Sequence, residues 1–312
     1  MVNPQHTTPQ ASADLFCSVL SLEAGEPLFG TAVHNDIWLL LEYDGPWGEK
    51  ATTDNDLPVE VQAWLESQAA ATMGHGRVQF IKQERERPRN YLTFYVAQAR
   101  EIEPRMFRFQ LADYTDLLKI DMAALLAGDG AYDEQRQFEP LYLVCTNGRR
   151  DRCCALFGLE VYYSLQHVAR DEVWQTTHVG GHRFAANVLT FPDGTYYGRV
   201  HTGNAARFYE ARQRGEVALP YLRGRSCYEE VVQAADYFLR QETGQPALQA
   251  FVFEALEKPQ AEQYEASFLA QEGDARYVVS LQRETVEMSL FASCGKPGEE
   301  PCTVYRLLSV KK

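Results

Sequence analysis

The sequence predicts an α/β protein that ends in an antiparallel β segment. Buried-strand patterns alternate with helical periodicity from about residue 36 to residue 242. From Gly244 onward the pattern changes to short strands in which apolar and polar residues alternate. The 312 residues, 45% hydrophobic and 23% charged, are typical of a globular chain that forms one large or two ordinary domains.

The N-terminal part contains a first series of four predicted strands and two predicted helices. The strands are "DIWLLLEY" (36–43), "RVQFIKQ" (77–83), "NYLTFYVAQ" (90–98) and "MFRFQL" (106–111). The helices are "VEVQAWLESQAAATM" (59–73) and "YTDLLKIDMAALLAG" (114–128). Gly128 is the predicted stop of the second helix, because glycine favours the left-handed conformation that ends many helices.

A second series begins after the polar connection near residues 128–138. Its predicted elements are a strand (140–145), a helix (159–169), a strand (172–178), a hairpin (187–200) that turns at Pro192-Asp193-Gly194, and helices at about 204–214 and 226–242. Both series therefore read β-α-β-β-β-α. The shared order suggests two tandem thioredoxin-like layers, although no residue-level repeat joins them.

These patterns divide the chain into four regions. We expect a disordered N-terminus over 1–14, an N-terminal thioredoxin-like domain over 15–128, a second thioredoxin-like domain over 136–243, and a C-terminal β segment over 247–312. The β segment contains five predicted strands: "AFVFEAL" (250–256), "EASFLAQ" (265–271), "RYVVSLQ" (276–282), "TVEMSLFAS" (285–293) and "CTVYRLLSV" (302–310).

Charge and composition exclude several classes of function. A net charge of −13 and a pI near 5.1 argue against binding to nucleic acid or to an anionic membrane, since both need a basic face. No run of apolar residues is long enough to span a membrane, and the polar start resembles no secretory signal, so we expect a cytoplasmic protein. Seven cysteines in a reducing compartment indicate metal binding or redox chemistry rather than disulfides.

The cysteines are concentrated in "LVCTNGRRDRCCALFG" (143–158). Cys145 ends a predicted strand, and eight residues separate it from Cys154. Zinc knuckles generally place paired cysteines two to four residues apart, so a loop of this length favours an object wider than one ion. The vicinal pair Cys153 and Cys154 is no Cys-x-x-Cys motif, which weakens the case for a thioredoxin-type thiol enzyme.

Two histidines follow in "HVGGHRFAANV" (178–188). The spacing of His178 and His182 predicts that both rings share one face of a helix or lie at the mouth of one. Gly180 and Gly181 lack side chains, so the backbone there can approach a ligand closely and offer N–H groups. Two cysteines and two histidines within one β-α-β unit form a candidate binding site.

These motifs resemble those of the sucrase/ferredoxin-like family. The resemblance rests on 143–158, on "WQTTHVGGHRFAANVLTFPDGTYYGRV" (174–200), and on the upstream "CSVLSLEAGEPLFGTA" and "WLLLEYDGPWG"; it covers roughly residues 15–245. It implies a thioredoxin-like protein that carries a [2Fe–2S] cluster. By position the implied ligands are Cys145, Cys154, His178 and His182, with Cys153 as a non-ligand.

The implied ligand set predicts the redox chemistry. Two thiolates and two neutral imidazoles leave an oxidised, formally dipositive [2Fe–2S] core about neutral, so adding an electron is easier than with four thiolates. A ligating imidazole can also lose its second proton, which would couple electron transfer to pH. We therefore expect a one-electron carrier with a redox partner protein of unknown identity, and no sucrase site is recognisable.

Around this site several alternatives stay open at the level of sequence. The same cysteines and histidines could serve a thiol-dependent redox enzyme or a structural zinc module, or the scaffold could have lost its cluster. Arg149 and Arg152, with Gly180 and Gly181, could surround the cluster, or the arginines could belong to a solvated loop with Asp151 as their partner. Elsewhere, Cys17 and Cys227 are expected in the core, and Cys294 and Cys302 either meet across a turn or are ordinary thiols.

Overall fold

The structure is a computed structural model that describes residues 16–85, 89–128, 130–288, 290–291, 293–294, 296 and 300–312. The predicted disordered N-terminus, 1–14, lies outside the described residues. The prediction of an α/β protein is confirmed, because helices pack on a large sheet and a second, antiparallel sheet follows it.

The helices and strands fall into three groups along the chain. The first group is α1 (Cys17–Glu23), β1 (Ile37–Glu42), α2 (Val59–Ala70), β2 (Gly76–Lys82), β3 (Leu92–Gln98), β4 (Arg105–Leu111) and α3 (Met122–Ala127). The second group is β5 (Leu141–Cys145), α4 (Arg152–Ala169), β6 (Val173–Thr176), β7 (Val188–Phe191), β8 (Thr195–Tyr197), α5 (Ala205–Gln213), β9 (Leu222–Arg225) and α6 (Glu230–Thr243). The third group is β10 (Phe251–Gln260), β11 (Gln263–Ala270), β12 (Arg276–Met288) and β13 (Glu300–Lys311).

The first two groups share one nine-stranded sheet in the order β4-β3-β1-β2-β6-β5-β7-β8-β9. Each half repeats one pattern: β1 is parallel to β2 and antiparallel to β3, just as β5 is parallel to β6 and antiparallel to β7. The halves meet where β2 and β6 pair antiparallel. The two series are thus joined edge to edge in one sheet instead of stacking as two layers.

Both faces of this sheet are covered, and each strand contributes to both. In β1, Trp38 and Leu40 belong to one apolar cluster and Leu39 and Leu41 to another, as expected for side chains that alternate between faces. In β5, Cys145 lies on the same side as Trp38. The sheet therefore places Cys145 in a core rather than in a solvated groove.

Two predicted helices differ from those observed. The helix expected over 114–128 is divided into a 3₁₀ turn, Tyr114–Lys119, and α3, because the Asp121 side chain accepts a hydrogen bond from the Ala124 N–H and starts a new helix. Gly128 does end α3, with φ +72°. Helix α4 begins seven residues earlier than predicted, at Arg152 instead of residue 159, because Asp151 caps it.

The C-terminal strands form a four-stranded antiparallel sheet in chain order, which confirms the predicted β segment. Two predicted strands, 276–282 and 285–293, are largely one long strand, β12, whose partner β13 continues the pairing as far as Met288 and Glu300. Phe268 and Leu281 of this sheet pack with Val231 and Leu239 of α6. Helix α6 thus attaches the second sheet to the first.

Candidate metal centre

Cys145 and Cys154 are brought together by the end of a strand and the start of a helix. Cys145 is the last residue of β5, and Cys154 lies in the first turn of α4; both side chains are buried in one cluster. The close approach of α4 requires Gly158, because a Cβ there would lie 2.1 Å from the carbonyl oxygen of Cys145. Cys145 ends a strand as predicted, whereas Cys154, which the sequence placed in the loop before a helix over 159–169, is already helical.

His178 completes a compact trio with these thiols. Its Nδ1 lies 4.0 Å from Sγ of Cys145 and 3.9 Å from Sγ of Cys154, and the three ligand atoms all lie within 4.8 Å of one another. The parallel pairing of β5 with β6 sets this position, since Cys145 is opposite Thr176 and the chain reaches His178 two residues later. Two thiols and one imidazole can together bind a thiophilic metal.

His182 lies beside the trio without joining its 4.8 Å group. Its ring centroid is 5.3 Å from that of His178. Of the two predicted arrangements, a shared helix face is wrong, because His182 is the first residue of a 3₁₀ turn and His178 precedes that turn. The chain between the rings passes through Gly180 and Gly181, with φ of +96° and +69°. These left-handed conformations favour glycine, and they bring both rings to one side of the loop.

A buried arginine holds this loop. Arg223 is 1% exposed, and its Nη1 donates hydrogen bonds to the Gly180 carbonyl (3.0 Å) and to Oδ1 of Asn187 (2.9 Å). Burial lowers the pKa of Arg223 to about 10. Among the described residues no carboxylate lies within ion-pair distance of it. Sequence reasoning missed Arg223, because only the sheet, through β9, brings it here.

A hydrogen bond between the Cys145 and Cys154 thiols shifts their pKa values in opposite directions. The pKa of Cys145 is well below the usual range because the Cys154 thiol donates a hydrogen bond to it, and the His178 ring adds to the effect although burial opposes it. The pKa of Cys154 is raised because it is the donor in that bond and because it is buried. Of the two thiols, Cys145 therefore ionises more readily than an ordinary cysteine and Cys154 less readily.

The arginines that the sequence placed around this site lie at the surface. Arg149 and Arg152 are both exposed, and the guanidinium carbon of Arg152 is 4.9 Å from the centroid of the Phe16 ring. Arg150 forms an exposed ion pair with Glu49 at 2.6 Å. A role for Arg149 and Arg152 at a cluster stays a prediction, whereas Arg77 does reach the site, because its Nη2 donates to the His178 carbonyl at 2.9 Å.

A second group of thiols lies on the other side of the first turn of α4. Cys153 points away from Cys154, and its Sγ is 3.5 Å from that of Cys17 and 3.2 Å from that of Cys294. Cys17 is buried as expected. Of the two alternatives for Cys294 and Cys302, a contact across the turn is wrong, because Cys294 contacts Cys17 and Cys153, while both residues are free thiols. Cys302 instead contacts Oε1 of Glu26 at 3.5 Å. Cys227, which was expected in the core, is only partly buried and packs at the margin of the cluster between α6 and the second sheet.

All seven cysteines are free thiols in the structure. His34, Asp36 and His75 form a further group of potential ligands, which is partly exposed. Within the described part of the chain no helix is both long and apolar enough to cross a bilayer.

The fold and these sites define a mixed α/β protein with a buried cysteine–histidine centre. The chain belongs to the sucrase/ferredoxin-like family, whose model matches residues 28–224, a range that contains Cys145, Cys154, His178 and His182.

Two curated relatives carry the name "Altered inheritance of mitochondria protein 32". The protein from Meyerozyma guilliermondii is 35% identical over 79 residues, which is 22% of this chain and 28% of the relative. The protein from Candida glabrata is 21% identical over 152 residues, which is 42% of this chain and 48% of the relative. The matches therefore span less than half of either relative. No solved structure matches the chain.

Proposed function

We propose that the protein is a thioredoxin-like electron carrier whose [2Fe–2S] cluster is held by Cys145, Cys154, His178 and His182. When bound, such a cluster accepts and releases one electron at a time. The residues of the chain hold it, shield it from water and set its potential. The alternatives, a structural zinc module and a thiol-dependent enzyme, would use the same side chains.

The spread of the four side chains is the observation that carries this proposal. A single tetrahedral ion needs its four ligand atoms within about 4 Å of one another, since metal–ligand bonds are about 2.0–2.3 Å long. The ligand atoms of Cys145, Cys154 and His178 lie within 4.8 Å of one another, which is close to that limit. His182 is not within 4.8 Å of all three, although its ring centroid is only 5.3 Å from that of His178. A two-iron cluster fits a ligand set of this width better than one zinc ion does.

The buried charge of Arg223 also supports the proposal that a cluster binds at this site. A guanidinium that is removed from water without a carboxylate partner costs several kcal/mol of folding free energy, so such a charge normally has a function. Arg223 donates to the carbonyl of Gly180, between the two histidines. Its positive charge would offset the negative charge that a cluster gains on reduction.

The repeated strand order supports the thioredoxin-like assignment. Each half of the large sheet has two parallel strands, β1 with β2 and β5 with β6, and a third strand antiparallel to the first of them. The two cysteines lie where β5 ends and α4 begins, at the carboxyl end of a parallel strand, which is a common place for a binding site in an open α/β sheet.

A redox partner would exchange electrons with the protein through the partly exposed edge of His178. This edge opens on a cleft of about 520 Å³ that His178 shares with Glu49, Arg77 and Arg150. Charges of both signs line the cleft, so we propose a partner whose own surface carries both signs. With every thiol free, we also propose a reducing compartment, the cytoplasm, although the relatives' name refers to inheritance of mitochondria.

Metal and sulfide analysis of anaerobically purified protein tests the proposal. We expect about two iron atoms and two sulfide ions per chain, a brown-red colour and, after one-electron reduction, an EPR signal of a [2Fe–2S] centre. Protein reconstituted with iron and sulfide serves as the control for loss during purification. If it binds zinc at the four residues and takes up no iron after reconstitution, the proposal is wrong and the zinc module is correct.

A further inference from the structure

The second thiol group consists of Cys17, Cys153 and Cys294, which come from three parts of the chain that are distant in sequence. Cys17 begins α1, Cys153 lies in the first turn of α4, and Cys294 lies in the segment between β12 and β13. Their Sγ atoms are separated by 3.5 Å (Cys17 to Cys153), 3.2 Å (Cys153 to Cys294) and 3.7 Å (Cys294 to Cys17). Each thiol therefore contacts both of the others.

These separations are close to, and slightly shorter than, the edges of a metal-binding tetrahedron. With zinc–sulfur bonds of about 2.3 Å, two sulfur ligands of one tetrahedral ion lie about 3.8 Å apart. A disulfide bond, at about 2.05 Å, would join only two of the three sulfurs and would leave the third without a role. A triangle of three near-equal edges is therefore better explained by one ion than by a disulfide.

The carboxylate of Asp151 lies where the fourth ligand of such a tetrahedron would be. Oδ1 and Oδ2 of Asp151 lie 3.8 and 3.9 Å from Sγ of Cys17, and all four side chains have ligand atoms within 4.8 Å of one another. The backbone N–H groups of Cys153 and Cys294 each donate to this carboxylate at 2.9 Å, which fixes its orientation. Carboxylate oxygen is an accepted zinc ligand beside thiolates.

Two of the sulfur atoms also accept hydrogen bonds from nearby donors. The Ser18 hydroxyl donates to Sγ of Cys153 at 3.2 Å, and the backbone N–H of Cys17 donates to Sγ of Cys294 at 3.5 Å. Donors around sulfur are typical of metal-bound thiolates, because they orient the ligands and spread their negative charge. Three thiols and a carboxylate with such donors form a prepared site for a cation.

We propose that Cys17, Cys153, Cys294 and Asp151 bind one thiophilic divalent ion, with Zn²⁺ as the expected metal. Its four ligands differ from those of the proposed cluster site, and its binding of a metal does not require a cluster, although Oδ2 of Asp151 lies 3.8 Å from Nε2 of His182. The ion would be structural, since its four protein ligands leave no open position for a substrate. It would tie α1 and the segment before β13 to the first turn of α4, and so stabilise the helix that carries Cys154.

Metal content and cobalt spectra of the full-length chain test this site. We expect about one zinc per chain in protein purified under reducing conditions, in addition to any iron. After removal of zinc, Co²⁺ should give the sulfur-to-cobalt charge-transfer band and the strong visible bands of a tetrahedral thiolate site. Cys17→Ser and Cys294→Ser should each lose zinc and these bands, whereas Cys227→Ser, which alters a thiol outside the group, should keep both.

Two further variants separate this site from the other candidate metal sites. The double variant Cys145→Ser/His178→Ala should lose iron yet keep the cobalt bands, and His34→Ala/His75→Ala should keep them too. Cobalt bands that vanish with Cys145 and His178 but survive Cys294→Ser would overturn the proposal. Circular dichroism shows whether each variant is folded, and iron content provides a second check for the variants that keep Cys145, Cys154, His178 and His182.

X-ray absorption at the zinc edge of the unaltered protein provides a measurement that needs no variant. We expect three sulfur neighbours at about 2.3 Å and one oxygen neighbour. A spectrum with one or two sulfurs and one or more nitrogens, or a fully reduced protein with no stoichiometric zinc and no cobalt binding, would show that this group is not a metal site.

Discussion

Asp151 lies against the ring of His182, with its Oδ2 3.8 Å from Nε2 of the histidine. The same carboxylate caps α4 through the N–H of Cys153. Burial opposes its ionisation, but hydrogen bonds from the N–H groups of Cys294 and Cys153 hold the pKa of Asp151 below the usual range, so it is charged at neutral pH. Asp151 therefore connects the candidate cluster site to the second thiol group.

Asp151→Asn should raise the reduction potential. An anion beside a ligating histidine makes the ligand more basic and disfavours an added electron, and asparagine removes the charge while it keeps an acceptor for the Cys153 N–H. Because Asp151 is also a proposed zinc ligand, both proteins are compared after removal of zinc. We expect a shift on the order of tens of millivolts, as for the loss of one charge beside a ligand. Potentiometric titration measures it, and Asp171→Asn, which alters an exposed acid after the end of α4, is the control. An unchanged or lower potential would contradict the proposed role.

Serine substitutions should separate the two vicinal cysteines. Because Cys154 faces Cys145 and Cys153 faces Cys17, Cys145→Ser and Cys154→Ser should abolish binding of iron and sulfide. Cys153→Ser should retain most of the iron and lose the zinc of the second site. Metal and sulfide analysis of the three variants distinguishes the cases, and loss of iron from Cys153→Ser alone would shift the ligand assignment by one residue.

The sequence predicted local elements better than it predicted their assembly. The buried strand patterns and the Pro192-Asp193-Gly194 turn correspond to β1, β5 and the β7–β8 hairpin, because period and turn chemistry are local properties. The sequence contains little signal for the start of α4. Its cap, Asp151, lies within a run of charged residues that is equally typical of a loop.

Long-range relationships had no comparable signal. Cys17 and Cys294 are 277 residues apart, so no spacing rule links them to each other or to Cys153. Arg223 is likewise one of two arginines in "YLRGRSC", with no neighbouring motif to mark it, and only the position of β9 in the sheet brings it to the Gly180 carbonyl. Whether a charged side chain is buried depends on the assembled sheet, so it cannot be predicted from the neighbouring residues in the sequence.

Gly158→Ala should weaken the cluster site through packing alone. The added methyl would meet the Cys145 carbonyl oxygen at 2.1 Å, so α4 or β5 must move. We expect a loss of about 1–3 kcal/mol in unfolding free energy, as for overpacked cores, together with lower iron content. Denaturant unfolding measures the loss, and Glu160→Ala, an exposed alanine substitution on the same helix, is the matched control. Equal stability and iron content in both variants would show that α4 need not approach β5 so closely.

Arg223→Gln should lower the reduction potential, because it removes a buried positive charge beside the histidine loop. Arg223→Lys keeps a charge but loses the planar guanidinium, whose Nη1 donates to Gly180 and Asn187 while its Nε donates to Oγ1 of Thr31. We therefore expect the lysine variant to bind less iron than the unaltered protein, while its potential stays closer to normal than that of the glutamine variant. Potentials are compared per bound iron. Equal potentials in the two variants would show that charge at this position has no influence.

The histidines give the prediction that separates the proposed centre from one with four thiolate ligands. If His178 and His182 each bind iron through one ring nitrogen, the other nitrogen keeps a proton that is more acidic when the iron is ferric. The potential should then fall as pH rises through the alkaline range, by at most about 59 mV per pH unit where one proton accompanies one electron. His178→Cys and His182→Cys each add a negative thiolate and remove a titrating ring, so both should lower the potential and flatten its dependence on pH. Potentiometric titration between neutral and alkaline pH measures this, with His167→Cys, an exposed position on α4, as the control. A potential that is independent of pH in the unaltered protein and does not respond to either substitution would exclude the histidines as ligands.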